Sequence, residues 1–303
     1  MCKVRARSTD RRTTKRPMTQ VEIVSTVREL REKTAEWRRA GEQISLVPTM
    51  GALHEGHLSL VREGLKRTSR AVMSIFVNPQ QFAPNEDFSK YPRTFEDDVA
   101  KFESAGGHLI WAPTPNEMYR PGFATHVQPA GAATGLETDF RPHFFRGVAT
   151  VCCKLFMQTL PDIALFGEKD FQQLAVVRQM VRDLDLPLEI VGCPTIREAD
   201  GLAMSSRNAY LSDDERQTAR HLHQIITQTA ETVAGGGPAD AACATASAAL
   251  EEAGFRGIDY VAVRDSETLE PISQPLVRPA RVLAAAWLGK TRLIDNVACP
   301  AGS

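Results

Sequence analysis

QISLVPTMGALHEGHLSL (residues 43–60) opens with an apolar run, breaks at a proline and a glycine, and resumes as an amphipathic segment. The run 43–49 reads as a buried strand. The segment after it places Leu58, Val61 and Leu65 on one face of a helix. Between strand and helix stand Gly51, His54, Gly56 and His57. Such a junction aims the free N–H groups of a helix start at whatever lies in front of it, and an anion is the favoured occupant. Glycine there lets backbone come close where a Cβ would clash. Two histidines three residues apart admit three roles: metal ligands, phosphate contacts or loop residues without chemistry.

The same alternation runs outward from this stretch. AVMSIFVN (71–78), HLIWAP (108–113), DIALFGE (162–168) and LEIVGCPT (188–195) read as strands. TFEDDVAKFESAGG (94–107), FRGVATVCCKLFMQTL (145–160) and DFQQLAVVRQMVRDLDL (170–186) read as helices, the first with an acidic opening turn and a glycine stop. Strands alternating with helices predict an α/β unit over 21–196, a Rossmann-like parallel sheet with helices on both faces. Ligands of such sheets sit beyond the carboxyl ends of the strands. His54 and His57, Asn78 with Gln80 and Gln81, and Glu168 with Lys169 and Asp170 all follow a predicted strand, so three polar clusters are expected to converge on one sheet edge. From 197 to 303 the pattern changes. Helices at 213–233 and 239–253 flank GGGP (235–238), and IDYVAVRD (258–265), RVLAAAWLG (281–289) and TRLIDNV (291–297) read as short antiparallel strands of a smaller C-terminal α+β domain.

Composition narrows the class. Of 303 residues, 43% are apolar and 24% charged, with a formal net charge of −1, which fits a globular enzyme or binding protein. No apolar stretch reaches the ~18–20 residues of a membrane span, and near-neutral charge argues against a body built to hold nucleic acid. Neither a membrane nor a nucleic acid is an expected partner. The six cysteines form no Cys-x-x-Cys pair and no disulfide framework, so a reducing, cytoplasmic setting is expected. Residues 1–20 differ from the rest: basic residues at 3, 5, 7, 11, 12, 15 and 16 face the single acid Asp10. That segment is expected to be a disordered extension.

Zinc needs three or four ligands, and no cysteine or carboxylate cluster supplies them beside His54 and His57. Phosphate gains support from the strand-end placement, with loop histidines as the remaining alternative.

The His-x-Gly-His arrangement resembles the signature of the nucleotidylyltransferase superfamily. Its companions narrow the resemblance. VPTMGALHEGH (47–57), SIFVNPQQF (74–82), YPRT (91–94), FGEKDFQQL (166–174), DGLAMSSRNAYL (200–211) and AAAWLGKTRLIDN (284–296) occur in order. Together they resemble the pantothenate synthetase family, the pantoate–β-alanine ligases, from Val21 to Val297. The resemblance implies ATP-dependent condensation of (R)-pantoate with β-alanine through an enzyme-bound pantoyl adenylate, releasing pyrophosphate and AMP. It also implies Mg²⁺ as companion of ATP and a homodimer.

Residue by residue, the resemblance implies that His57, His54 and Lys169 are catalytic. It places ATP on Met50, Gly51, Ala52, Leu53, His54, Glu55, Gly56 and His57, on Gly167, Glu168, Lys169 and Asp170, and on Ile196, Met204, Ser205, Ser206 and Arg207. Gln81, Gln173 and Asn78 are implied for pantoate and β-alanine. Asp97 is implied for Mg²⁺, with Asp98 the neighbouring candidate. The residue types suit the chemistry. An anionic carboxylate must approach a polyanionic triphosphate, so fixed donors and cations have to offset the repulsion. Lysine supplies a flexible point charge, and Ser205, Ser206 and Arg207 supply hydroxyls and a guanidinium fork. Adjacent side chains diverge on an extended segment, so only one of Gln80 and Gln81 is expected to face inward.

One stretch departs from the family pattern. RPHFFRGV (141–148) has Phe144 where the family has histidine, with His143 one residue earlier. Arg141 and Arg146 remain candidates for the pocket. Two other functions compete with the ligase: another nucleotidylyltransferase of the same fold, and a non-catalytic nucleotide-binding or RNA-associated protein.

Overall fold

The computed structural model describes residues 21–82, 94–272 and 276–300. The basic extension 1–20 and the YPRT motif up to Arg93 lie outside them. Six strands form one parallel sheet: β1 (Glu22–Val24), β2 (Ile44–Thr49), β3 (Arg70–Ile75), β4 (Leu109–Trp111), β5 (Ile163–Gly167) and β6 (Glu189–Cys193). Their spatial order is β1-β4-β3-β2-β5-β6. The chain winds outward from β2 in one direction and from β5 in the other. The order therefore reverses between β2 and β5, and a crevice at the carboxyl ends is expected there. Pairing of β2 with β3 runs to Thr49, whereas pairing with β5 stops at Leu46 against Ala164. Two residues further on is Pro48, which has no N–H to extend a ladder, and the two strands part.

Helices cover both faces. Val47, Met73, Ile110 and Leu165 face α2 (Glu55–Arg67) and α3 (Phe95–Ser104), where Leu58, Val61 and Phe102 are buried. Leu46, Val72, Leu109 and Phe166 face α1 (Val27–Arg39), α6 (Phe144–Thr159) and α7 (Phe171–Asp183). Successive strand residues thus go to opposite cores, as the pleat requires. Fully burying each such side chain contributes about 1.5–3 kcal/mol. Two four-residue helices, α4 (Pro115–Met118) and α5 (Glu137–Phe140), lie on the excursion between β4 and α6.

The remainder forms a second layer. The helix expected over 213–233 is divided at Arg220 into α8 (Asp213–Ala219) and α9 (His221–Ala234), and α10 (Ala239–Glu252) follows. Strands β7 (Ile258–Asp265), β8 (Ala280–Leu288) and β9 (Thr291–Cys299) make an antiparallel sheet in that order. One face of β8 places Val282, Ala284, Ala286 and Leu288 in a core with Leu222, Ile226 and Leu250. Leu283 points the other way, into the core that covers the parallel sheet. No helix among the described residues is long and apolar enough to cross a membrane.

Candidate active site

The carboxyl ends of β2 and β5 open into a cavity of about 1270 Å³. Met50, His54, Gly56 and His57 line it from β2 and α2. Gly167, Lys169, Asp170 and Gln173 line it from β5 and α7, and Asn78 and Gln81 from the turn after β3. Ile196, Met204, Ser205, Ser206 and Arg207 form the wall opposite, together with residues of β7 and β9. The three strand-end clusters do converge. Gln80 is absent from the lining and Gln81 present, so one glutamine faces inward as expected, although residues 79–81 form a 3-10 turn and not the extended segment the expectation assumed.

His54 is the N-cap of α2. Its Nδ1 accepts from the Gly56 N–H at 3.2 Å, and His57 Nδ1 accepts from the His54 N–H at 3.3 Å. A ring nitrogen that accepts carries no proton, so both neutral imidazoles hold theirs on Nε2. The ring centroids are 4.1 Å apart. Burial, with Lys169 next in weight, pushes His54 down to about 4. Burial, then His54 and Lys169, pushes His57 down to about 3. Both rings are therefore neutral donors at neutral pH. Gly56 is required by the fold of His54: a Cβ there would lie 2.8 Å from the ring's Cε1.

This arrangement corrects the expectation that backbone N–H groups of the loop receive the anion. Ala52 and Leu53 donate instead to the buried carboxylate of Asp98, at 3.0 and 2.7 Å. Gly56 and His54 donate to imidazoles, and the His57 N–H bonds the His54 carbonyl at 2.8 Å. Gly51, Ala52 and Leu53 lie off the cavity lining, and the imidazole pair faces it with its Nε2–H groups unspent on the loop. Glu55 is exposed and paired with Arg62. Glu168 also lies off the lining and faces Arg281 at 3.4 Å.

Asp97 sits in the exposed first turn of α3 and does not line the cavity. Asp98 faces inward, but its oxygens take the loop N–H groups and the Thr94 hydroxyl. Among the described residues no group of three or more histidine, cysteine, aspartate or glutamate side chains is arranged to hold a metal ion. Asp97 and Asp98 therefore bring no cluster of protein carboxylates to the cavity.

Asn78 lines the cavity with its amide fully engaged. Nδ2 donates to Gln81 Oε1 and the Gly147 carbonyl, both at 3.1 Å, and Oδ1 accepts from the Gln80 N–H and the Tyr119 hydroxyl. It holds Gln81 in place. Gln172 is engaged in the same way with the 132–137 segment, while its neighbour Gln173 faces the cavity. Ser205 caps the turn that carries Arg207 by accepting its N–H.

Some site residues escaped the sequence reading. Glu137, 5% exposed, accepts from Arg141 at 2.9 Å and from Arg292 of β9 at 2.8 Å, and Arg292 Nε donates to Asp259 at 2.6 Å. Arg141 also donates to the Gln81 carbonyl at 3.0 Å. This chain of charges, buried at Glu137 and half-buried elsewhere, ties the antiparallel sheet to the turn bearing Gln81. Arg146, by contrast, is exposed. Phe144 lines the cavity under the Arg141 guanidinium, 4.0 Å from its ring centroid. Spacing along the chain gave no sign of the Glu137–Arg292 pair, because the two residues are 155 apart.

A parallel sheet with a histidine pair at the helix start of its switch point, faced by a lysine, a serine pair and an arginine, defines a nucleotide-binding α/β enzyme. Comparison with known proteins makes the assignment particular. The family model described as pantoate-beta-alanine ligase matches residues 22–298, and the chain belongs to that family of ligases. A pantothenate synthetase from Mesorhizobium japonicum is 55% identical over 283 residues, spanning 93% of this chain and 99% of its own. The crystal structure of pantothenate synthetase from Thermus thermophilus superposes with a TM-score of 0.85 at 46% identity, over 91% of this chain and 99% of that one. A Francisella tularensis pantoate-beta-alanine ligase, solved with β-γ ATP and β-alanine, gives a TM-score of 0.77 at 29% identity over 91% and 97% of the two chains. The other nucleotidylyltransferase and the non-catalytic binding protein are not favoured by these matches.

Proposed function

We propose that this cavity joins (R)-pantoate to β-alanine in two steps at the expense of ATP. A pantoate carboxylate oxygen attacks the α-phosphorus, the bond from that phosphorus to the bridging oxygen breaks, and pyrophosphate leaves. The β-alanine amine, after losing a proton, then attacks the acyl carbon of pantoyl adenylate. The C–O bond to AMP breaks, and pantothenate and AMP result.

The neutral imidazoles of His54 and His57 donate Nε2–H bonds to the α-phosphate, where charge grows during substitution. Lys169 adds a mobile positive charge from the far side of the switch point. Ser205, Ser206 and Arg207 hold the β- and γ-phosphates, and Gly167 and Asp170 border the nucleotide, with the Ile196 and Met204 segment beside the adenine. Gln81 and Gln173 donate to and accept from the pantoate hydroxyl and carboxylate groups. A neutral pair has a specific advantage over a charged one: it donates without forming a tight ion pair with the ground-state triphosphate, so more of its effect falls on the transition state. The observation that carries this reading is the juxtaposition of the histidine pair, Lys169 and the Ser205–Arg207 turn across one crevice. A volume of about 1270 Å³ exceeds the ~300–1,000 Å³ of a single-ligand site and suits a reaction with three substrates.

Mg²⁺ would accompany ATP through the phosphate oxygens, and no step here is drawn through it. The unit from 197 to 303 would act as a separate domain that closes over 21–196. The enzyme would work as a cytoplasmic homodimer. Incubation with Mg-ATP and pantoate, with and without β-alanine, tests the reading. Bound adenylate and stoichiometric pyrophosphate are expected without β-alanine, and AMP turnover only with both acids. AMP turnover that ignores either acid would refute it.

A further inference from the structure

The turn that carries Lys169 is held by the opposite sheet. Asn296 lies on β9 and is 3% exposed. Its Nδ2 donates to the carbonyls of both Glu168 and Lys169, each at 2.9 Å. Its Oδ1 accepts from Arg281 of β8. That arginine reaches Glu168 at 3.4 Å and stacks its guanidinium 3.8 Å from the Phe171 ring centroid. The lysine is thus braced at the residue before it and the second residue after it, and its own carbonyl is bonded.

The neighbouring residue reaches the other anion-facing segment. Asp295, also 3% exposed, receives Arg197 twice, at 2.7 and 3.0 Å. Arg197 donates in addition to the Gly201 carbonyl and pairs in a bridge with Ala203, two residues before Ser205. Consecutive residues of one strand therefore hold the two segments that face the cavity from opposite sides.

We infer that Asn296 is a positioning residue for adenylate formation: its carboxamide fixes the backbone at Lys169 and so couples the aim of the lysine to the seating of the antiparallel sheet. The inference rests on the reading that Lys169 acts on the triphosphate. Both amide protons are committed to this turn, and both carbonyls would be left facing an acceptor if those protons were lost. A lysine swings on a flexible stem, so the direction of its Cα–Cβ bond sets which region the ammonium samples. Reaction rates respond steeply to that placement.

Asn296→Asp isolates the contact. It keeps size, shape and the acceptor for Arg281, and turns the one nitrogen that supplied both protons into a carboxylate oxygen facing two carbonyls. Pyrophosphate release from ATP and pantoate in a single turnover is expected to slow by roughly 10–100-fold, with KM for β-alanine unchanged. In a Lys169→Ala background the same substitution is expected to add less than about twofold, because coupled residues are not additive. An undiminished tenfold loss in that background, or a wild-type rate for Asn296→Asp alone, would overturn the inference. Failure of the Lys169 reading is distinguishable, since Lys169→Ala alone would then react at nearly the wild-type rate. Thermal unfolding of each variant checks that it is folded. Should the aspartate variant not fold, Asn296→Ala carries the same cycle with the same two decisive outcomes.

Discussion

Gly147 in α6 sets helix propensity against packing, and the numbers decide which prevails. In an exposed helix interior, alanine for glycine is worth roughly 1 kcal/mol in favour of folding. At Gly147 a Cβ would stand 2.3 Å from the Gln80 carbonyl oxygen, 2.6 Å from its carbon and 2.8 Å from the Gln81 nitrogen. All three atoms are backbone, so no rotamer change relieves the contact, and the 79–81 turn must retreat by about 1 Å. That turn carries Gln81, and the Gly147 carbonyl also holds Asn78. A 1 Å misplacement at a reacting centre costs on the order of 10²-fold in rate. Gly147→Ala is therefore expected to lower kcat/KM for pantoate by about that factor while KM for ATP changes little. Steady-state kinetics with each substrate varied in turn measures both. A kcat/KM for pantoate within twofold of wild type, together with a raised melting temperature, would show that the turn yields freely and that the packing argument is wrong.

Lys169→Ala is expected to slow single-turnover pyrophosphate release by roughly 10²–10³, the range for one preorganised charge-stabilising donor; a near-normal rate would remove the lysine from the phosphate site. The pH dependence follows from the histidines. Their lowered values, about 4 for His54 and about 3 for His57, mean that acidification must pass well below the ordinary imidazole range before either ring takes a proton. The acid limb of kcat/KM for ATP, which reports the free enzyme, should fall only as pH nears 4. A limb with its midpoint near 6.5 would show that one ring titrates normally.

Much of the architecture could be read from the chain because it rests on local patterning. The apolar run 43–49 and the face of Leu58, Val61 and Leu65 fix a strand and the helix after it, and strand-end placement then brings the histidines, Gln81 and Lys169 to one edge. The site's internal wiring was not legible. A helix start normally presents free N–H groups, yet here Asp98 reaches the loop from 45 and 46 residues away and takes two of them. Nothing in the sequence of α3 separates Asp98 from Asp97, since consecutive acids in a first turn serve the helix dipole equally well; only the packing of α3 on α2 turns one inward. Asn296 and Arg292 present the same difficulty. On β9 they look like the polar positions of an antiparallel strand, and their partners sit more than a hundred residues earlier, in α5 and in the turn after β5.

Adenylate formation leaves a mark on the atoms that no other route to pantothenate shares. If a pantoate carboxylate oxygen attacks the α-phosphorus and the amine later breaks the acyl C–O bond, that oxygen stays with AMP. Pantoate labelled with heavy oxygen in its carboxylate, turned over with ATP and β-alanine, is expected to give AMP bearing one labelled oxygen and pantothenate bearing the other. Label-free AMP would contradict the central claim that this cavity makes pantoyl adenylate.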